Sequence, residues 1–462
     1  MRHHSSQRLS AMDLAARFLV VAAGLSLNDL FTRAFGVGQM ASPAMLAAVA
    51  ILMMQANART VALPSLLLIG ALSSYIMFGS IFSVVLGNYA GAFKYVVIYT
   101  ASIIFLISLL TYVSNAESEL KIERFLCFTR DIFVISTALI LASPILEQIL
   151  THSAGVNDGR FRGVFSNPNE ACYVGIFAWI LCAAFPYKDR RLRIIASLAI
   201  IAGVICTLSK GGIVLLIMLM IFQSFDLKRP YRTAAFIFLA VITLLMLQNI
   251  RYLVSELLVT YSHSFTASQM IRLVQITNLL GGEVNAATTT GRTTLWQLSL
   301  ERFGSNFPLG GGLGSFHFLV GGIRESGVWQ GSHNLYLMIL GEAGLIPLFF
   351  LLSAASVSVA TALSLGGWKR QLLLQMWFVL GINGLSSHNT LEIRYVLVAL
   401  AITVGLAIRF EPRRIFRRRR WQGRGEIAPW RDQLRPGSPR LESIAKGSDE
   451  VPNVARGSES KL

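Results

Sequence analysis

The feature that most constrains this chain is a succession of long apolar runs. A helix needs about 20 mostly apolar residues to cross the hydrocarbon core of a bilayer. Runs of that kind fall at roughly 14–31, 41–57, 63–87, 92–113, 130–150, 170–187, 192–208, 211–226, 233–250, 335–364, 371–388 and 394–411. Backbone polar groups in lipid must be satisfied within a helix or a closed barrel. These runs have helix length and lack the alternation of barrel strands, so the chain is expected to be an all-α polytopic membrane protein with about twelve transmembrane helices. Composition agrees: 54% of the residues are hydrophobic and only 14% are charged, against about 25% charged in a soluble domain.

Charge sets the expected orientation. With the N-terminus inside, the basic clusters KDRRLR at 188–193, DLKRPYR at 226–232 and GGWKRQ at 366–371 all fall on the cytoplasmic side, as does the Arg-rich segment after residue 411. That distribution obeys the positive-inside rule. The net charge of +17 is therefore read as topology anchoring and headgroup contact, and no nucleic-acid partner is expected. Residues 1–411 form the expected transmembrane domain, and 412–462 a basic, disordered cytoplasmic tail. The N-terminal MRHHSSQR precedes an apolar run without a clear cleavage site, so the first helix is expected to be retained. Cys127, Cys172, Cys182 and Cys206 show no CxxC spacing and read as small core hydrophobes.

This orientation puts two substantial segments outside: 151–169 and the large loop 251–332 before helix ten. Cations at this face stand out, because the topology rule depletes them there. Lys94, Arg160, Arg162, Lys210, Arg251, Arg272, Arg292, Arg302, Arg324 and Arg394 all lie there or at its edge. They point to an anionic ligand, and the planar guanidinium fork suits a phosphate. Arg162 stands in RFRGVFSNPNEA, whose Gly and Asn-Pro-Asn favour tight turns. Arg292 stands in TTTGRTTLWQLSLERF, where Thr290 or Thr293 could cap a helix running to about Phe303. Arg292 would then lie at a helix N-terminus, which itself favours anions. The glycine-rich NFPLGGGLGSFHF at 306–318 lacks a following GK[ST] and reads most simply as a turn-rich loop.

The stretch GSHNLYLMILGEAGLIP at 331–347 begins helix ten. A continuous helix from His333 to Ser364 would be about 48 Å long at 1.5 Å per residue, longer than a core of about 30 Å allows. Two glycines and a proline in GEAGLIP supply a break. The expectation is a short outer helix over about 333–343 followed by the true span, with His333 at the water boundary and Glu342 near the break. A histidine placed there can move a proton near neutral pH. No second His or carboxylate sits at metal-ligand spacing and no DxD-like pair occurs outside, so neither a metal site nor a cofactor is expected. A second SHN, at 387–389, reads more simply as a polar helix terminus, leaving open whether His388 takes part.

RFRGVFSNPNEA, TLSKGG, TGRTTLWQLSLERFGSNFPLGGGLGSF and SHNLYLMILGEAG, in that order, resemble the bacterial O-antigen ligase and Wzy-type polysaccharide polymerase superfamily. The resemblance spans about residues 150–365, and the HN-x9-G spacing from His333 to Gly344 resembles a ligase signature. It implies a GT-C-like glycosyltransferase of the bacterial inner membrane, with both termini cytoplasmic and a periplasmic active site. The donor would be a glycan on undecaprenyl diphosphate. The acceptor would be lipid A–core or a growing polysaccharide, and the partners would be membrane lipids and other polysaccharide-assembly proteins. Residue by residue, it implies His333 as general base with Arg162 and Arg292 stabilising the diphosphate. Lys210, Asn334, Asn169, Arg160 and Arg394 are the candidate substrate-binding residues. Lys210 departs from the arginine common in relatives, replacing a fork by a point charge.

Two alternatives stay open. A Wzy-type polymerase would join repeat units rather than ligate a finished chain, and the motifs barely separate the two. A transporter or flippase would suit twelve helices, but such proteins keep carboxylates within their spans. Here the acidic residues of the apolar runs are edge residues such as Asp131 and Glu147.

Overall fold

The computed structural model describes residues 9–36, 41–54, 62–87, 89–150, 160–224, 266–280, 292–316 and 331–410, with positions 256 and 260. The expected helix at 233–250, the tail from 412, most of the large loop, and Arg251 and Arg324 lie outside them. Among the described residues the chain is helical throughout, without a strand. Every other apolar run coincides with a helix or a pair of helices. The first ten are α1 (Ala11–Gly24), α2 (Leu27–Phe35), α3 (Ser42–Met53), α4 (Leu63–Val85), α5 (Tyr89–Asn115), α6 (Glu119–Leu141), α7 (Ser143–Leu150), α8 (Pro168–Ala184), α9 (Arg190–Cys206) and α10 (Lys210–Ser224). Then follow α11 (Ala267–Leu280), α12 (Arg292–Ser305), α13 (Leu335–Ala343), α14 (Leu345–Ser364), α15 (Gly367–Ser386) and α16 (Arg394–Phe410).

Three helical stretches, Leu63–Val85, Ala92–Asn115 and Leu345–Ser364, are long and apolar enough to cross a membrane singly, or up to five spans if each bent pair counts as one. These apolar helices make the chain an integral membrane protein. Two expectations change in detail. The run 14–31 is split into α1 and α2, which meet at 56°. The run 130–150 is not one span: α6 starts at Glu119, capped by Ser118, and α7 turns away by 80° after Leu141. Pro144 stands in the first turn of α7, where its missing N–H costs nothing, and so favours a fresh start there. Asp131 thus falls within α6, where its carboxylate is paired with Arg130 at 2.7 Å.

The core is built on two helices that are apolar all round, the pattern of a buried helix. In α16 every residue from Tyr395 to Ala407 is buried, and in α8 so are Ala171–Ala178, Ile180 and Leu181. α16 packs along α5 and touches α1, α4, α14 and α15, while α8 packs against α6, α9, α10 and α15. The expected break in helix ten is present. α13 ends at Ala343, and Gly344 adopts φ +83°, ψ −163° before α14 starts. The glycine loop fills this break. Gly311 N–H donates to Gly341 O at 2.6 Å, Gly312 N–H to Glu342 O at 3.1 Å and Leu313 N–H to Gly79 O at 2.9 Å. A Cβ on Gly310 would stand 2.6 Å from the Glu342 carbonyl carbon. The glycines therefore serve close backbone approach, binding the loop that follows α12 to both α13 and α4.

The helices define two ends. Phe185, Trp368 and Phe410 meet at one end, with ring centroids 4.9 Å and 6.2 Å apart in sequence. That end also carries Lys188, Arg190, Arg191, Arg193, Lys369 and Arg370 in the connections α8–α9 and α14–α15. The other end gathers the starts of α8, α10 and α16 and the ends of α9 and α15.

Candidate functional site

A cavity of about 700 Å³ opens at this second end, within the range of small-ligand pockets. It is where helix starts converge. Asn169 and Glu170 lie in the first turn of α8, Lys210 is the first residue of α10, Arg292 the first of α12, and His333 stands just before the α13 cap. Each start presents the positive end of a helix dipole. Among the described residues the wall thus combines the cations Arg160, Lys210 and Arg292 with one carboxylate, Glu170.

Local sequence explains each position. Asn167 caps α8 by accepting from Asn169 N–H at 2.9 Å, and Pro168 follows at the tolerated first position. Arg160 is buried. Its Nε donates to Thr207 O at 2.9 Å and its Nη2 to Asn169 Oδ1 at 2.9 Å, so it ties the α8 entry to the α9–α10 turn. Lys210 Nζ donates to Gln275 Oε1 of α11 at 3.1 Å.

His333 is held in a costly backbone conformation, φ +47°. Non-glycine residues in the left-handed region persist only where the surroundings impose it. Here Ser332 N–H donates to Phe316 O at 3.1 Å and Ser332 Oγ to Asn334 O at 3.0 Å. Asn334 is buried and caps α13, its Oδ1 accepting from Tyr336 N–H at 3.0 Å and Leu337 N–H at 3.1 Å. Leu208, beside Ser209 and Lys210 in the opposite wall, also has positive φ, +49°. Burial first, and then the charge of Arg292, push the His333 imidazole below its ordinary pKa, which favours its neutral, proton-accepting form.

Of the residues singled out from sequence, Arg160, Asn169, Lys210, Arg292 and His333 line the cavity. Three do not. Arg162 turns the other way: Nε is 3.2 Å from Glu147 Oε1 on α7 and Nη1 donates to Ser166 O at 3.3 Å. Asn334 spends its carbonyl on the cap. Arg394 lies behind the wall, its Nη1 3.4 Å from Ser102 Oγ and its guanidinium 5.4 Å from the Phe105 ring centroid. The tight turn expected at Arg162 is present. Gly163 has φ +58°, and a Cβ there would stand 3.0 Å from Ile140 N. Arg33, which the sequence did not single out, holds this turn by donating to Gly163 O at 2.8 Å and Phe165 O at 3.2 Å.

The sequence also left out most of the far wall, Tyr173, Trp296, Ser386, Ser387 and Tyr395, and left His388 open. His388 shares the cavity with His333, the two rings edge to face with centroids 5.0 Å apart. The signal was the repeated SHN at 332–334 and 387–389. Among the described residues no three His, Cys, Asp or Glu side chains cluster as metal ligands.

Residues 174–352 match the family model described as O-antigen ligase. Over this segment the chain is similar to the O-antigen ligase family. The matched segment runs from within α8 into α14 and contains Lys210, Arg292 and His333. Arg160, Asn169 and the His388 wall lie outside it. The match supports glycan transfer or polymerisation as the general chemistry, and lipid-linked polysaccharide as the class of substrate. No curated protein matches the chain.

Proposed function

We propose that this protein transfers a glycan from undecaprenyl diphosphate to an acceptor saccharide, as an O-antigen ligase, within the 700 Å³ cavity. One observation carries the reading: the cavity brings Lys210 and Arg292, each at a helix start, onto the same wall system as His333. A diphosphate leaving group needs fixed positive charge, and preorganised cations and dipoles supply it without reorganisation. An attacking sugar hydroxyl needs a neutral base, and His333 is a half-buried imidazole biased toward that form. In the proposed step the hydroxyl gives its proton to His333 as its oxygen bonds to the anomeric carbon. The bond from that carbon to the phosphate oxygen breaks, and undecaprenyl diphosphate leaves with the electron pair. Such a displacement inverts the anomeric configuration. No metal or cofactor takes part in the step.

The basic residues at the opposite end of the bundle favour a cytoplasmic placement of that end, which supports a cavity on the periplasmic side of the inner membrane. Arg160 and Asn169 support the reading as a braced pair that shapes the rim. The roles first expected for Arg162, Asn334 and Arg394 reduce to holding the turn, the α13 cap and the α16 start. Complementation of a deletion strain tests the reading. Wild-type gene restoring the ladder of lipopolysaccharide-attached chains supports the ligase. Restored exopolysaccharide or repeat-unit polymer, without a change in attachment, replaces it by the polymerase. A lipid-linked glycan crossing liposomes with purified protein, and no transfer, replaces it by a transporter.

A further inference from the structure

His388 was the less favoured of the two SHN histidines, and it falls outside the matched family segment. Four observations bring it to the reacting centre. It lines the same cavity as His333, Arg292 and Lys210. Its ring meets that of His333 edge to face, interplanar angle 74°, with centroids 5.0 Å apart. The chain opposite is cleared for it: a Cβ on Gly331 would stand 2.8 Å from His388 Nε2 and 2.9 Å from Cε1, so only glycine lets the ring lie there. And the turn carrying it is fixed from below, where Thr390 Oγ1 donates to buried Asn383 Oδ1 at 2.9 Å and Ser387 N–H to Asn383 O at 2.9 Å.

We propose that His388 is a positioning residue for His333, holding the base edge to face and, by like-charge exclusion, keeping it from gaining a proton while His388 carries one. This rests on the reading of His333 as the base. Two imidazoles at this separation cannot both be charged cheaply in a partly buried site. The other groups facing them are the same in every variant below. From the remaining walls come the cations Arg160, Lys210 and Arg292, the carboxylate Glu170 and the phenols of Tyr173 and Tyr395. Glu392, on the His388 turn, is engaged by Tyr99 OH at 3.2 Å. Arg292 reinforces the exclusion, while Glu170 opposes it equally in all variants below.

The test is the pH dependence of transfer by the full chain in proteoliposomes, with undecaprenyl-diphosphate-linked glycan as donor. The proteins are wild type, His388→Gln, Gly331→Ala and His333→Ala, each checked for folding by size exclusion in detergent. His388→Gln is expected to lower kcat about tenfold, leave the donor KM unchanged and move the acidic limb up by about half a pH unit or more, because His333 then protonates without competition. Gly331→Ala, which displaces the ring but keeps it, is expected to lower kcat with the same unchanged donor KM. It serves as the second variant if His388→Gln fails to fold. Inactive His333→Ala together with an unmoved acidic limb in His388→Gln, or unchanged kcat in Gly331→Ala, overturns the proposal alone. An active His333→Ala instead overturns the base assignment beneath it.

Discussion

Replacing Glu342 by alanine should destabilise the fold and loosen the site together. Glu342 is fully buried beside the α13–α14 break. Its Oε2 accepts from Tyr75 OH of α4 at 2.5 Å, and its Oε1 accepts from Phe316 N–H at 2.9 Å. Phe316 closes the glycine loop that follows α12, the helix that starts with Arg292. One carboxylate therefore ties α4, α13 and that loop, and Phe316 O in turn holds the residue before His333. Alanine leaves two buried donors without acceptors at about 1–3 kcal/mol each, a loss of about 2–6 kcal/mol in total. Glu342→Gln keeps one oxygen to accept and offers an NH2 to the tyrosine oxygen, so its loss should be well under half of that. The assay is thermal unfolding of purified protein in detergent, read beside transfer activity at a temperature where all variants are folded. An alanine variant as stable as wild type would refute the reasoning, because it would mean the two donors are satisfied without the carboxylate.

Further outcomes follow from the same contacts. Arg292→Ala should lower transfer by about 10²–10³-fold while leaving the folded fraction unchanged in size exclusion. Arg162→Ala, which breaks a partly exposed pair with Glu147, should lower transfer far less than Arg292→Ala under the same assay. Gly344→Ala should cost about 1–3 kcal/mol, because it forces a Cβ to 2.6 Å from Pro308 O at φ +83°, and thermal unfolding reads it. Treatment with a chelator should leave the transfer rate unchanged, since the proposed step places protein cations at the diphosphate.

How much of this was legible in the sequence depends on whether a one-dimensional rule carried the information. The break at Gly344 was legible, because length against bilayer thickness demands it and glycine and proline mark it. Arg292 in the first turn of α12 was legible as a position, but of the two threonine caps expected for it Thr293 lies inside the helix and Thr290 falls outside the described residues. The 80° turn at residue 142 was not. Hydropathy reports that 130–150 is apolar but says nothing of direction, and Pro144 at a helix start looks like any proline inside a run. Nor could spacing separate Arg160 from Arg162. They are two residues apart, yet the turn at Gly163 sends one guanidinium into the cavity and the other to Glu147. His388 was set aside because each SHN was weighed alone. Their meeting needs the end of α15 and the start of α13 to lie side by side, which is a matter of packing.

The central claim is that His333, at the strained entry to α13, takes the proton of the acceptor hydroxyl. The most direct measurement is single-turnover transfer by wild type and His333→Ala in proteoliposomes, with donor binding measured in parallel. The account predicts that the variant binds the lipid-linked donor as wild type does and transfers at least about 10²-fold more slowly. Transfer at the wild-type rate by a folded His333→Ala protein would contradict it.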